Sequence, residues 1–220
     1  LHTLWEGSVN GSIYAMIAMG IALVWGVMGI LSFSQGEFMM LGMFITFYAN
    51  TYLGLDPVVC VPIVGLLMFG FGCIVYRTII AKALRGPRLS QRLITFAIGM
   101  VLTYGALMLF GGQYRTVQNL AFTGSIDLVG LTISRQKLVP LIIALVMVAF
   151  MYIFLNKTKI GKAIQATSQD KQSAELVGID SETTYMVAFG LSSALAGIAG
   201  CAITYYFPVY YTAGAAFLLF

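Results

Sequence analysis

The sequence predicts an all-α, polytopic integral membrane bundle, and three observations predict it. Of 220 residues, 60% are hydrophobic and only 9% are charged, against roughly 45–50% and about 25% in a soluble domain. Too few charges remain to cover a water-exposed surface. Mean hydropathy is +0.92, and uncharged apolar runs recur along the chain, each long enough to cross ~30 Å of hydrocarbon at ~1.5 Å per residue.

Other classes drop out on charge and cysteine usage. Twelve Lys and Arg stand against eight Asp and Glu, for a net +4. The basic residues fall in connections between apolar runs and form no clustered face, so nucleic acid is not an expected partner. Cys60, Cys73 and Cys201 lie inside apolar runs with no CxxC spacing, so neither a disulfide framework nor a zinc site is readable. The N-terminus lacks a basic n-region, so no cleavable signal is readable either.

Residues 11–31 form the first predicted span. A polar hexapeptide, 32–37, separates it from a second span at 38–55. Asp56-Pro57 marks a turn, and 58–76 is the third span. Residues 77–92 carry Arg77, Lys82, Arg85, Arg88 and Arg92 with no acidic residue, which places this loop in the cytoplasm by the positive-inside rule. The fourth span is 93–111, followed by an outer connection, 112–137, whose 126–133 core has the pattern of a small hairpin. The fifth span is 138–155. The connection 156–183 carries Lys157, Lys159, Lys162 and Lys171 and, two spans later, shares the cytoplasmic side. In the sixth span, 185–202, Gly190 and Ala194, Ser193 and Gly197, and Ala196 and Gly200 are each four apart, a pattern that lets neighbouring helices approach closely. A last apolar stretch stops at Phe220. About six to seven spans are thus readable at this hydropathy, and both ends are expected to be trimmed, with at least one further span beyond.

An ionisable group between two spans needs a reason, because insertion costs roughly 2.5–3.5 kcal/mol. Glu37 has two. In a cytoplasmic turn it caps the second helix, where the dipole favours a carboxylate. In the bundle, non-helical backbone carrying Ser32, Ser34, Gln35, Gly36 and Glu37 is tolerated where it lines a cavity. Asn10-Gly11-Ser12 at the head of the first span caps that helix or presents polar groups to a solute. Tyr14, Trp25, Tyr48 and Tyr52 fit an interfacial aromatic belt, and His2 has no assigned role.

The 156–183 connection is amphipathic. Ala163, Ala166, Ala174, Leu176 and Val177 offer a small apolar face, opposite Lys162, Gln165, Gln169, Asp170, Lys171 and Glu175. Gly178 ends the helix in the left-handed conformation, and Asp180 or Ser181 caps the next. A helix, a Gly break and a second helix make a compact knob built to dock.

The stretch Gly161-Lys162-Ala163-Ile164-Gln165-Ala166-Thr167-Ser168-Gln169-Asp170, with Ala174-Glu175-Leu176-Val177-Gly178-Ile179, resembles the coupling loop of ABC importer permeases. It is most similar to the shorter permease subunit of the branched-chain amino acid family. Asn10-Gly11-Ser12-Ile13-Tyr14-Ala15, Gly36-Glu37-Phe38-Met39-Met40-Leu41-Gly42 and the 194–200 segment resemble that family too. The chain departs from its usual Asn, Ala and His at Ser32, Ser34 and Gln35. The resemblance implies a bacterial inner-membrane permease paired with a second permease subunit, two cytoplasmic ATPase subunits that bind ATP and Mg, and a periplasmic solute-binding protein. It implies coupling through Ala166, Asp170, Ala174, Glu175, Gly178 and Ile179, and a translocation path past Asn10, Ser12, Ser34, Gln35, Gly36 and Glu37. Relatives also carry urea, amides and other small polar solutes. No G-x-x-x-x-G-K-[ST] occurs, so this chain is expected to hold no cofactor and to leave ATP hydrolysis to another. The competing expectation is an ion-coupled secondary transporter using Glu37 as its cation site. A membrane enzyme finds no His and carboxylate set at catalytic spacing.

Overall fold

A computed structural model describes the backbone of all residues except Leu1, Leu31, Arg85, 118–124, 129–130 and 219–220. Helix α1 (His2–Met28) ends where Gly29 turns to φ 67° and its N–H bonds the Trp25 carbonyl at 2.8 Å. Non-helical chain leads to α2 (Gln35–Leu53), closed by Gly54 at φ 65°. Asp56 caps α3 (Pro57–Val75) by accepting from the Val58 N–H at 2.9 Å. The helix continues through a π-helical turn (Tyr76–Ile80) into α4 (Ala81–Ala83). Then come α5 (Arg88–Phe110), strands β1 (Ser125–Leu128) and β2 (Leu131–Ser134), α6 (Arg135–Lys157), α7 (Lys159–Gln169), α8 (Lys171–Leu176), α9 (Ser181–Ile203) and α10 (Ala213–Leu218). The expected hairpin is present as an antiparallel pair with Ser125 opposite Ser134; its turn lies outside the described residues.

Among the described residues, five helices are long and apolar enough to cross a membrane: Gly7–Met28, Pro57–Ala83, Leu89–Phe110, Gln136–Lys157 and Ser181–Ile203. The second expected span, 38–55, is corrected in kind. It is α2, which starts at Gln35 and is buried along much of its length, so protein rather than lipid surrounds Gln35, Glu37, Thr46 and Asn50. The expected last span is only the short α10 within the described residues.

Small side chains in the sixth span make α9 the axis of the bundle. Of this span 83% is buried, against 22–33% for the other four. A Cβ on Gly42 would lie 2.3 Å from the Gly197 carbonyl oxygen, one on Gly200 2.1 Å from that of Met39, and one on Gly197 2.5 Å from Met68 Cγ. Helices α2 and α9 touch backbone to backbone at the first two points, the Met68 side chain of α3 packs onto Gly197 at the third, and a hydroxyl binds α9 to α3 further: Ser193 Oγ donates to the Met68 carbonyl at 2.7 Å. The small-residue repeat therefore serves packing within the chain. The two basic stretches share one end of the bundle, as their parity required: Tyr76, Ala81 and Leu84 line a cavity of about 590 Å³ with Lys171, Glu175, Ser181 and Tyr185.

Gly42→Ala should cost about 1–3 kcal/mol through overpacking and lower the detergent melting temperature. Gly70→Ala, where a Cβ meets nothing within 4 Å, should leave it unchanged or higher.

Candidate functional site

The polar break lies deep in the bundle. Ser32, Ser34, Gln35 and Glu37 expose 2%, 0%, 0% and 6% of their surfaces. Gln35 Nε2 donates to Ser192 Oγ at 2.8 Å, and Ser192 Oγ donates to the Gly20 carbonyl at 2.6 Å. Gly99 is bare where the break passes: its Cβ would stand 3.5 Å from Glu37 Cγ and 4.0 Å from Ser34 Cα. Gly99 and Ser192 are each the twelfth residue of a 23-residue helix, so the break sits at mid-depth. That geometry removes the surface-turn alternative for 32–37. Ser34 occupies the N-cap of α2 without a side-chain capping bond; its hydroxyl lies 3.1 Å from that of Ser32.

Glu37, in the first turn of α2, faces α5. The Thr103 hydroxyl is within hydrogen-bonding reach of its carboxyl, but that hydroxyl has one proton, and the Gly99 carbonyl accepts it at 3.0 Å. Glu37 Oε2 and Gln35 Oε1 are buried with no hydrogen-bond partner among the described residues. From the other side α10 closes on the same turn: a Cβ on Gly214 would lie 2.5 Å from the Gly36 carbonyl oxygen and 2.7 Å from Glu37 Oε2. Ser34, Gln35, Gly36 and Glu37 thus come together, joined by Gly20, Gly99, Thr103, Ser192 and Gly214, which the sequence had not singled out. Gly99 and Thr103, four apart in an apolar span, were the available signal.

Asn10 and Ser12 do not join them. Both lie inside α1 and cap nothing. Asn10 is exposed and accepts from the Tyr206 hydroxyl at 3.0 Å; Ser12 Oγ donates to the Val9 carbonyl at 2.7 Å. Ten residues separate Asn10 from Gly20, about 15 Å of helix rise. Tyr48 is more than a belt residue: its hydroxyl accepts from Arg115 Nη1 at 2.7 Å, while Arg115 Nη2 donates to the Phe110 carbonyl.

The single helix expected before Gly178 is two, α7 and α8. Asp170 breaks the run at φ −152° and caps α8, accepting from the Gln172 N–H at 2.9 Å and the Ser173 N–H at 3.3 Å. Helix α7 is fastened to the bundle. A Cβ on Gly161 would lie 2.3 Å from the Phe154 carbonyl oxygen, and buried Ile164 packs with Leu23, Val27, Met151, Ala188 and Leu195. Gly178 does take the left-handed conformation, φ 87°, and the Gly178 and Ile179 N–H groups return to the Glu175 and Ala174 carbonyls at 3.0 Å. Asp180 caps α9, leaving Ser181 as its first residue. The apolar face is corrected: Ala174 is buried within the chain, Ala166 is half-buried, and Leu176 and Val177 are 87% and 77% exposed. Helix α8 ends at Leu176, and Ala174 fixes it from behind while Glu175, Leu176, Val177 and Gly178 form the exposed tip. Lys171 and Glu175 pair at 3.7 Å on that surface, a contact of little energy there.

A membrane-spanning bundle with polar groups gathered at mid-depth and a fastened knob at one end defines a transport permease. The profile of the branched-chain amino acid transport system / permease component family matches residues 3–220, and the chain belongs to that family. It is 30% identical over 212 residues to the high-affinity branched-chain amino acid transport system permease protein BraD of Pseudomonas aeruginosa, covering 90% of this chain and 69% of the relative. Against the corresponding permease protein LivH of Escherichia coli K12 it is 29% identical, covering 95% and 72%. Against LivM of the same strain it is 24% identical, covering 86% and 49%. No solved structure matches it. The chain is therefore a multi-pass inner-membrane permease, a component of a larger transporter rather than a catalytic enzyme.

Hydrogen bonds from Ser173 and Thr183 hold the carboxyls of Asp170 and Asp180 below their ordinary 3.8. Depressed folded-state values mean that both caps contribute fully above the ordinary carboxylate range and weaken as pH falls through it. Amide exchange at Gln172 and Glu182, corrected for intrinsic rate, should show protection at neutral pH that declines by about pH 3. Asp170→Ala should abolish that pH dependence at Gln172 alone.

Proposed function

We propose that this chain is the membrane-spanning subunit of an ATP-driven ABC importer for branched-chain amino acids. The observation that carries this is the pairing of a mid-depth polar break with a knob whose tip is apolar, exposed and fixed from behind. Residues 1–220 act as one permease domain, with 156–183 as its cytoplasmic coupling loop. The absence of a P-loop in the sequence supports hydrolysis of ATP, with Mg, on two separate cytoplasmic ATPase subunits. Two E. coli relatives, LivH and LivM, carry the name of permease protein of one high-affinity system, which supports a second, related permease beside this chain. A periplasmic binding protein delivers the solute.

In the cycle, nucleotide-driven movement of the ATPases is received by Glu175, Leu176, Val177 and Gly178. Ala166, Asp170, Ala174 and Ile179 keep that tip rigid and transmit displacement into α9. The solute passes the break at Ser34, Gln35, Gly36 and Glu37. Asn10 and Ser12 lie outside this path, near its outer end.

Gly178 at φ 87° has no conformation open to Pro, whose ring fixes φ near −65°. Gly178→Pro and Glu175→Arg, each assembled with the ATPase subunits, should abolish solute-stimulated ATP hydrolysis while membrane insertion and detergent melting persist. Unchanged stimulation in both removes the docking assignment. Glu37→Gln should lower uptake about tenfold, the cost of losing one charge-assisted contact, with ATP hydrolysis continuing. Uptake that persists in vesicles without any ATPase would instead favour an ion-coupled carrier.

A further inference from the structure

The polar atoms left without partners at the break share one character. Gln35 Nε2 donates to Ser192 Oγ, whose proton goes to the Gly20 carbonyl, so the amide orientation is fixed and the orphan atom, Oε1, accepts only. Glu37 Oε2 is the second orphan. Residues two apart on a helix face different sides, so the start of α2 offers an unpaired acceptor both toward α9 and toward α5. No Lys or Arg pairs with Glu37 among the described residues. The one hydroxyl beside it is engaged by the Gly99 carbonyl. Buried acceptors without donors are costly, and native chains rarely keep them without a use.

We propose that Glu37 is a transit station for a primary ammonium group, so that a zwitterionic solute passes the break with its amine against Glu37 Oε2 and its carboxylate held away from α2. This rests on the reading that the break lies on the solute path. An ammonium brings three donors and no acceptor, the complement of what the first turn of α2 lacks. A carboxylate meets a like charge and an amide oxygen there. Gly214 keeps a side chain off the carboxyl, since a Cβ there would lie 2.7 Å from Glu37 Oε2, and Gly99 adds none beside the Glu37 stem, its Cβ position being 3.5 Å from Cγ.

The test places a thiol at Ser34, which shares the Gly99 wall with Glu37. In the complete transporter, supplied with ATP and loaded binding protein, Ser34→Cys is treated with the aminoethyl or the sulfonatoethyl methanethiosulfonate. Each rate is divided by that reagent's rate with a small free thiol, and labelling of the parent's three native cysteines is subtracted. The cationic reagent should react roughly tenfold faster, the difference between attraction and repulsion by one charge about 6 Å away even at the dielectric of water, and adding Glu37→Gln should bring the ratio near one. Equal rates for the two reagents, or a preference that survives Glu37→Gln, overturn the ammonium station while leaving the path intact. Labelling by neither reagent overturns the path as well. If Ser34→Cys does not assemble, Thr103→Cys reports from the other side of the same carboxyl.

Discussion

Lipid supplies no hydrogen bonds, so a helix can begin in mid-bundle only where protein closes around its first turn. Everything distinctive about this chain follows from meeting that condition at Gln35. Helix α9 makes it possible. Its glycines and alanines let α2 and α3 approach to backbone contact, and Ser192 reaches across to the Gln35 amide at 2.8 Å. With side chains of ordinary size along α9, α2 would be pushed outward, and Glu37, Asn50 and Thr46, all buried now, would face hydrocarbon. The small-residue axis and the polar break are one design.

The condition is met incompletely, and where it fails is informative. Most buried polar groups here do find partners: Thr46 Oγ1 donates to the Gly42 carbonyl at 2.8 Å, Asn50 Nδ2 to the Leu55 carbonyl at 2.9 Å, and Ser193 Oγ to that of Met68. The orphans Gln35 Oε1 and Glu37 Oε2 both belong to the first turn of α2, which α10 approaches from the other side through Gly214. Among the described residues the one other buried polar atom without a partner is Ser181 Oγ at the start of α9, so two of the three fall in the first turn of α2, and both of these are acceptors.

The bundle was legible in the sequence wherever periodicity or length decided the matter. Apolar length located five of the spans, four of them to within four residues at each end and the third ending seven residues short of Ala83, positive charge put 77–92 and 156–183 at one end, and Gly178 and Asp180 announced the joint between α8 and α9. The rest was decided by tertiary burial. The apolar run 38–55 reads as a span faced by lipid, although Gln35, Glu37, Thr46 and Asn50 of α2 are buried in the protein. Nothing local separates a Glu that caps a surface turn from one that starts a helix at mid-depth, because both stand in the first turn of a helix. Asn10 and Ser12 look like a cap only while the helix is thought to start at Gly11; α1 starts at His2. Ala174 and Leu176 are alike in an apolar pattern, yet one is buried and the other is bare, since only the fastening of α7 and α9 fixes which side of α8 faces inward.

That fastening also ties the two sites together. Asp180 caps α9 directly behind the knob, and Ser192, twelve residues on, holds the Gln35 amide. Twelve residues of unbroken helix span about 18 Å, with Gly190 and Gly197 packed hard against α3 between and beyond them. Close-packed backbone contacts resist compression, so a helix held this way moves as a body rather than bending. Ile164 anchors α7 to α1, α6 and α9 through the same apolar cluster, which leaves the knob little freedom to shift without them. The geometry therefore gives displacement at Glu175 to Gly178 a short, stiff route to the first turn of α2. The hydrogen bond from Gln35 Nε2 to Ser192 Oγ stands at the end of that route.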